Sequence, residues 1–128
     1  MIFNKQLLDD LLRKATESER LRFAMDLRNG ADDNSQRMLN AIQPGSVVPI
    51  HRHPSTSETI VLLCGVADEV FYNNQGEETN RYTCSVATGI FGVQVPAGMW
   101  HTLIVKEPTV IIEVKDGAYQ SVDVEDVR

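Results

Sequence analysis

The sequence predicts an all-β protein, a small barrel or sandwich of short strands with one amphipathic helix near its start. Three observations carry that reading. From Arg37 onward, apolar or alternating segments are separated by turn residues at close intervals, the pattern of many short strands. Clear helical spacing is confined to the stretch before Thr16. With 128 residues, 42% hydrophobic and 23% charged, the chain can bury a core and fits a single domain, residues 1–128.

Phe3, Leu7, Leu8, Leu11, Leu12 and Ala15 recur at helical spacing with charges between them, which predicts a helix over about residues 5–16. Asn4 is suited to cap it, and Phe3 can staple against Leu8 across the cap. Its apolar stripe needs a cover, either a barrel flank or a partner subunit. Leu21, Phe23, Met25 and Leu27 then alternate with Arg20, Arg22, Ala24, Asp26 and Arg28, as in a half-buried strand. A helix through Leu21, Ala24, Met25 and Arg28 also fits. Residues 29–35, NGADDNS, read as a loop.

The remaining strands are expected at Arg37–Ile42, Val47–His53, Glu58–Cys64, Ala67–Tyr72, Glu78–Val86, Ile90–Val95, Trp100–Val105 and Thr109–Lys115. Breaks are expected at Pro44-Gly45, Pro54–Ser57, Gly65, Asn73–Gly76, Gly89, Pro96–Gly98 and Glu107-Pro108. After Asp116-Gly117 the chain reads as a surface segment. By alternation, Phe91, Val93, Val95, Leu103, Ile112 and Val114 are core candidates. Trp100 should point away from its neighbour His101.

Charge and composition exclude several classes. Net charge is −6 with a pI near 4.9, and no basic stripe is available to neutralise phosphates, which argues against nucleic acid. No uncharged apolar run is long enough to span a membrane. Asp9, Asp10 and Arg13 interrupt the start where a signal peptide needs apolar continuity, so a cytoplasmic location is expected. Cys64 and Cys84 then read as buried free thiols rather than a disulfide. Strand alternation leaves Cys64 a route toward the site described next.

The chain has three histidines, and all fall at interpretable positions. On a strand, His51 and His53 share one face. The turn at Pro54–Ser57 returns the chain, so Glu58 can aim into the same space, and His101 can join from another strand. Three imidazoles and one carboxylate suit one zinc, iron, nickel, copper or manganese ion, and do not suit calcium or magnesium.

Gly45, His51-Arg52-His53, Glu58 and Gly65 stand at the spacing of the first cupin motif, and Pro96-Ala97-Gly98-Met99-Trp100-His101 resembles the core of the second. Gly89 lies one residue too far upstream for that motif, and Val105 stands where it carries asparagine, which would leave the surroundings of the site more apolar. The runs QRMLNAIQPGSVVPIHRHP, ETIVLLCG, VPAGMWHTL and EVKDGAY, with SERLRFAMDLR before them, resemble the WbuC-type cupin-fold metalloproteins. That resemblance implies a small cupin-type (jelly-roll) β-barrel and a homodimer. It also implies a bacterial origin and an association with surface-polysaccharide (O-antigen, lipopolysaccharide) biosynthesis. It supplies no mechanism.

Two further residues are candidate substrate-binding groups. Asn40 is polar among Met38, Leu39, Ala41 and Ile42, and its partner is a ligand, a water or nearby backbone. Arg22 sits on the polar face of its strand, either solvated or holding a carboxylate or phosphate. Lys115 and Tyr119 follow the resemblance without a place relative to the metal. The site residues support a metal-dependent isomerase or epimerase, lyase or oxygenase acting on a small anionic or sugar-related molecule. A non-catalytic sensor or binding module, or a metal that only stabilises the barrel, fits the same residues. No general base beyond the ligands is evident in the sequence.

Overall fold

A computed structural model describes residues 1–128. The chain opens with helix α1, Lys5–Glu17, and the Asn4 side chain accepts a 3.0 Å hydrogen bond from the Leu7 amide as its cap. Six strands follow: β1 Arg22–Asp26, β2 Ser35–Ile42, β3 Glu58–Tyr72, β4 Glu78–Ser85, β5 Gly92–Val95 and β6 Trp100–Asp116. All pair antiparallel in the order β1-β2-β6-β3-β4, with β5 on the free edge of the first part of β3. The hydrogen-bonded ladder does not close on itself, so the barrel is an open one.

Two expected pairs of strands are in fact single long strands. Glu58–Cys64 and Ala67–Tyr72 join into β3, and Trp100–Val105 and Thr109–Lys115 join into β6. Gly65 and Pro108 mark bends rather than ends. The register between β3 and β6 shifts around Gly65, where Glu107-Pro108 lies opposite. Gly65 has φ +94°, and a side chain there would run into the Pro108 carbonyl and Thr109, whose Cα lies 2.6 Å from an ideal Cβ. A glycine in this conformation lets a strand bulge and turn without breaking its pairing. Pro108 has no amide to offer and is tolerated where the ladder is interrupted.

Because both long strands bend at the same point, each serves two layers. One layer holds β1, β2, the second half of β6, the first half of β3, and β5. The other holds the first half of β6, the second half of β3, and β4. Ile42, Ile60, Leu62 and Ile111 from one layer pack against Ala67, Phe71, Leu103 and Val105 from the other. On the outer face of the first layer, Leu11 and Ala15 of α1 bury Leu39, Ala41 and Val110, with Phe23, Met25 and Ile112 alongside. The helix therefore covers the barrel flank, and the alternation of β1 is that of a strand. Its apolar residues meet α1, so Arg22 is turned inward.

Two other expectations need correction. Val47–His53 forms no regular strand; its backbone is held by bridges from His51 to His101 and to Val127, and Pro49 removes an amide a ladder would need. Phe91 and Val114 are exposed rather than core, because β5 begins only at Gly92 and Val114 lies on the outer face. Residues 118–128 form the expected surface segment, exposed except at Asp126, and the segment is tied down: Asp126 is buried and the backbone pairs with residues 50–52. No helix of the chain is long and apolar enough to cross a membrane.

Candidate metal centre

Glu58 opens β3 and shares its inward face with Ile60 and Leu62. His101 lies near the start of β6, where its amide and carbonyl exchange hydrogen bonds of 2.9 and 3.0 Å with those of His51. Residues paired in this way project their side chains to one side of the ladder. The two rings lie 4.3 Å apart between centroids. His53, two residues on, returns to the same side, and its Nε2 is 3.2 Å from Glu58 Oε2. The Gly98 amide donates to the His53 carbonyl at 2.8 Å, tying the two motif segments together. One ligand-type atom from each of His51, His53, Glu58 and His101 lies within 4.8 Å of all the others.

The surroundings prepare these groups to act as donors. His51 Nδ1 lies 2.8 Å from the Pro49 carbonyl, and His101 Nδ1 lies 2.8 Å from that of Met99. A carbonyl only accepts, so both rings carry their proton on Nδ1 and present the Nε2 lone pair to the cluster. Burial pushes His51 below its ordinary value. Burial, and then the neighbouring His51, push His101 down to about 4. Both are neutral imidazoles near neutral pH, the form that coordinates. Burial works to raise the Glu58 carboxyl, but the His53 hydrogen bond first, and then the neighbouring His101 and Lys115, outweigh it and bring it below its ordinary value. His101 Nε2 is buried with no protein partner. Three imidazole nitrogens, one carboxylate and an unpartnered nitrogen turned into the cluster fit a divalent transition metal.

The cluster lies in a cavity of about 290 Å³. Arg22 and Asn40 line it, as do Lys115 and Tyr119, so all four residues left unplaced by the sequence share the space of the histidines. Two carboxyls that the sequence reading passed over, Glu69 and Glu113, line it as well. Burial, and then the charges of Glu58 and Glu113, push Glu69 up to about 9. Burial and the Glu58 charge push Glu113 up to about 7, against the opposing pull of Lys115, Asn40 and Arg22. Alternation held the signal for both: Glu69 shares a face with Ala67 and Phe71, and Glu113 with Ile111. Ile112 and Val114 had been expected in the core; both lie on the outer face of β6, where Ile112 packs toward the helix and Val114 is exposed.

Three residues stand apart. Cys64 packs on the helix side of the sheet, away from the cluster. Val105 belongs to the core and does not line the cavity, so the departure from the motif leaves the polarity of the site unchanged. Trp100 is buried on the far side of β6 from His101, with its Nε1 donating to Asn74 Oδ1 at 3.2 Å.

The open two-layer barrel with its His/Glu cluster is a cupin fold carrying a candidate metal centre. The chain belongs to the family described as Domain of unknown function (DUF6016), whose model matches residues 3–84. Among solved structures, the chain resembles the capsular polysaccharide assembling protein CapF from Staphylococcus aureus, with 17% identity and a TM-score of 0.60. That match covers 83% of this chain and 31% of CapF. Bacillus subtilis oxalate decarboxylase, described with Mn(II) centres, matches at 20% identity and TM-score 0.61, over 78% of this chain and 26% of its own. An oxalate oxidase in complex with glycolate matches at 12% identity and TM-score 0.64, over 84% and 57%. The chain thus spans a third or less of the first two, and at these identities the likeness establishes the fold. No curated protein matches the chain in sequence.

Proposed function

We propose that residues 1–128 form one cupin domain in which His51, His53, Glu58 and His101 bind a single zinc, iron, nickel or manganese ion beside a pocket for a small anionic or sugar-related molecule. One observation carries this reading. The buried side-chain nitrogens and oxygens that lack a hydrogen-bond partner are Arg22 Nε, Glu69 Oε1, Glu69 Oε2 and His101 Nε2, and all belong to residues lining this one cavity. Buried polar atoms are almost always satisfied, so their concentration in one place marks where a ligand is received.

Each group suits a different part of that ligand. Arg22, with Lys115 beside the same space, suits a carboxylate or phosphate. Glu69 keeps its proton above neutral pH and Glu113 exchanges one near it, which suits hydrogen bonding to a hydroxyl and proton exchange with it. A bound divalent ion would supply Lewis acidity, polarising a carbonyl or acidifying a water. Two protonatable carboxyls beside such an ion favour proton-transfer chemistry, as in an isomerase, epimerase or lyase. The WbuC-type sequence resemblance and the fold likeness to a capsular polysaccharide assembling protein support a role in bacterial surface-polysaccharide metabolism. A cytoplasmic homodimer belongs to the same reading.

Elemental analysis of the protein purified from its own host tests the first part. One transition-metal ion per chain is expected, lost in Glu58→Gln and His101→Ala. A native preparation with no stoichiometric metal would refute it. Calorimetric titration of the metal-loaded protein with sugar acids tests the second. Binding should vanish in Arg22→Gln while the metal content stays.

A further inference from the structure

Residues 118–128 fold back over the end of the molecule where the histidines lie. Their anchoring begins at Gly117, whose amide donates to the Asn34 carbonyl at 2.7 Å, and at Tyr119, whose ring lies 5.8 Å from the Arg28 guanidinium. Tyr119 and Val122 form part of the metal cavity wall. The chain then reaches the stretch that carries His51 and His53. The Arg52 amide donates to the Asp126 carbonyl at 2.9 Å, and the Arg128 amide donates to the Ile50 carbonyl at 2.8 Å. His51 is therefore bridged on one side to His101 and on the other to Val127, which gives this otherwise irregular stretch two neighbours.

A side-chain lock lies on top of the backbone pairing. Arg52, between the two histidines, donates from Nε to Asp126 Oδ1 at 2.6 Å, and Asp126 is 3% exposed. The guanidinium groups of Arg52 and Arg128 lie 4.7 and 4.0 Å from the Trp100 ring centroid. Arg128 also donates to the Asn73 and Asn74 carbonyls in the turn after β3. One buried carboxylate thus fixes the residue between two ligands and, through the shared indole, the strand carrying the third. A histidine site without a regular strand of its own depends on such support for its geometry.

We infer that the segment 118–128 is a working part of the metal centre, in which Arg52 and Asp126 are positioning residues for His51 and His53. This rests on the reading of His51, His53, Glu58 and His101 as metal ligands. The segment closes the cavity on one side and holds the His51–His53 stretch on another, so its docking sets both metal affinity and coordination geometry.

Cobalt(II) titration of the full chain, with chelator competition and visible absorption, tests this. Asp126→Asn and Arg52→Gln should each weaken Co(II) binding about 10–100-fold, the range for groups that support metal ligands. Both should alter the Co(II) ligand-field bands and shift the emission of Trp100, the only tryptophan. The double variant should be little worse than either single one, because the two side chains act as a pair. Asp126→Glu should recover part of the affinity. Asp68→Asn serves as the stability control, since it disturbs a buried carboxylate bonded to Arg81 and Thr83, away from the cavity. Unchanged affinity and spectra in Asp126→Asn and Arg52→Gln would overturn the inference while leaving the metal reading intact. Equal weakening in Asp68→Asn would also overturn it, as general destabilisation. A wild-type protein that takes up no Co(II) would overturn the metal reading and this inference with it.

Discussion

Replacing Glu69 by glutamine should stabilise the metal-free protein, and by an amount that grows with pH. Glu69 is 1% exposed, and neither carboxyl oxygen has a partner. Its ordinary value of 4.5 is raised to about 9 in the fold. Between those values the folded chain keeps a proton that the unfolded chain has released. The unfolded state then binds fewer protons, so stability falls as pH rises through that window. At about pH 7.5, three pH units above the ordinary value, the loss amounts to about 4 kcal/mol at about 1.4 kcal/mol per unit. Glutamine has a similar shape and no such proton. In urea unfolding of chelator-treated protein, Glu69→Gln and wild type should therefore lie close together near pH 5. By about pH 7.5 they should diverge by more than about 1 M in midpoint. A difference between the two proteins that stays constant across that range would refute the reasoning.

Gly65→Ala should cost about 2–5 kcal/mol, combining about 1–2 for a left-handed backbone with about 1–3 for overpacking against Pro108 and Thr109, read from the same urea unfolding at fixed pH. Asn4→Ala removes the only side-chain cap of α1 and should lower stability by about 1 kcal/mol in thermal melts, leaving metal content unchanged. Glu58→Gln should lose the bound ion on elemental analysis, because the only carboxylate among the donors becomes a neutral amide.

Much of the fold was legible because it rests on local signals. The helix and its Asn4 cap followed from spacing, and β1 from an alternation that a helix also fitted; the meeting of His51, His53, Glu58 and His101 followed from the motif spacing, although His51 and His53 stand on no regular strand. What escaped depends on contacts distant in sequence. Gly65 and Pro108 looked like strand ends, since nothing local shows that each sits opposite a bend in the other strand. Glu69 and Glu113 were passed over because charge in a strand reads as solvent-facing, whereas here one end of the otherwise apolar interior is a cavity lined by polar groups. Asp126 lies in a polar, turn-rich stretch, and only the folded chain reveals Arg52 opposite it.

The shared bend in β3 and β6 also changes what the metal-binding end means mechanically. Glu58 stands on the layer where β3 pairs with the second half of β6, whereas His101 stands on the other, opposite Phe71. The two layers are hinged at Gly65 and Pro108, and the four donor side chains meet at the far, open end. An ion held there would act as a clasp on a purse whose hinge is already covalent. Its removal should loosen the mouth first, so amide exchange and proteolysis should quicken around Pro54–Ser57 well before the helix-covered flank responds.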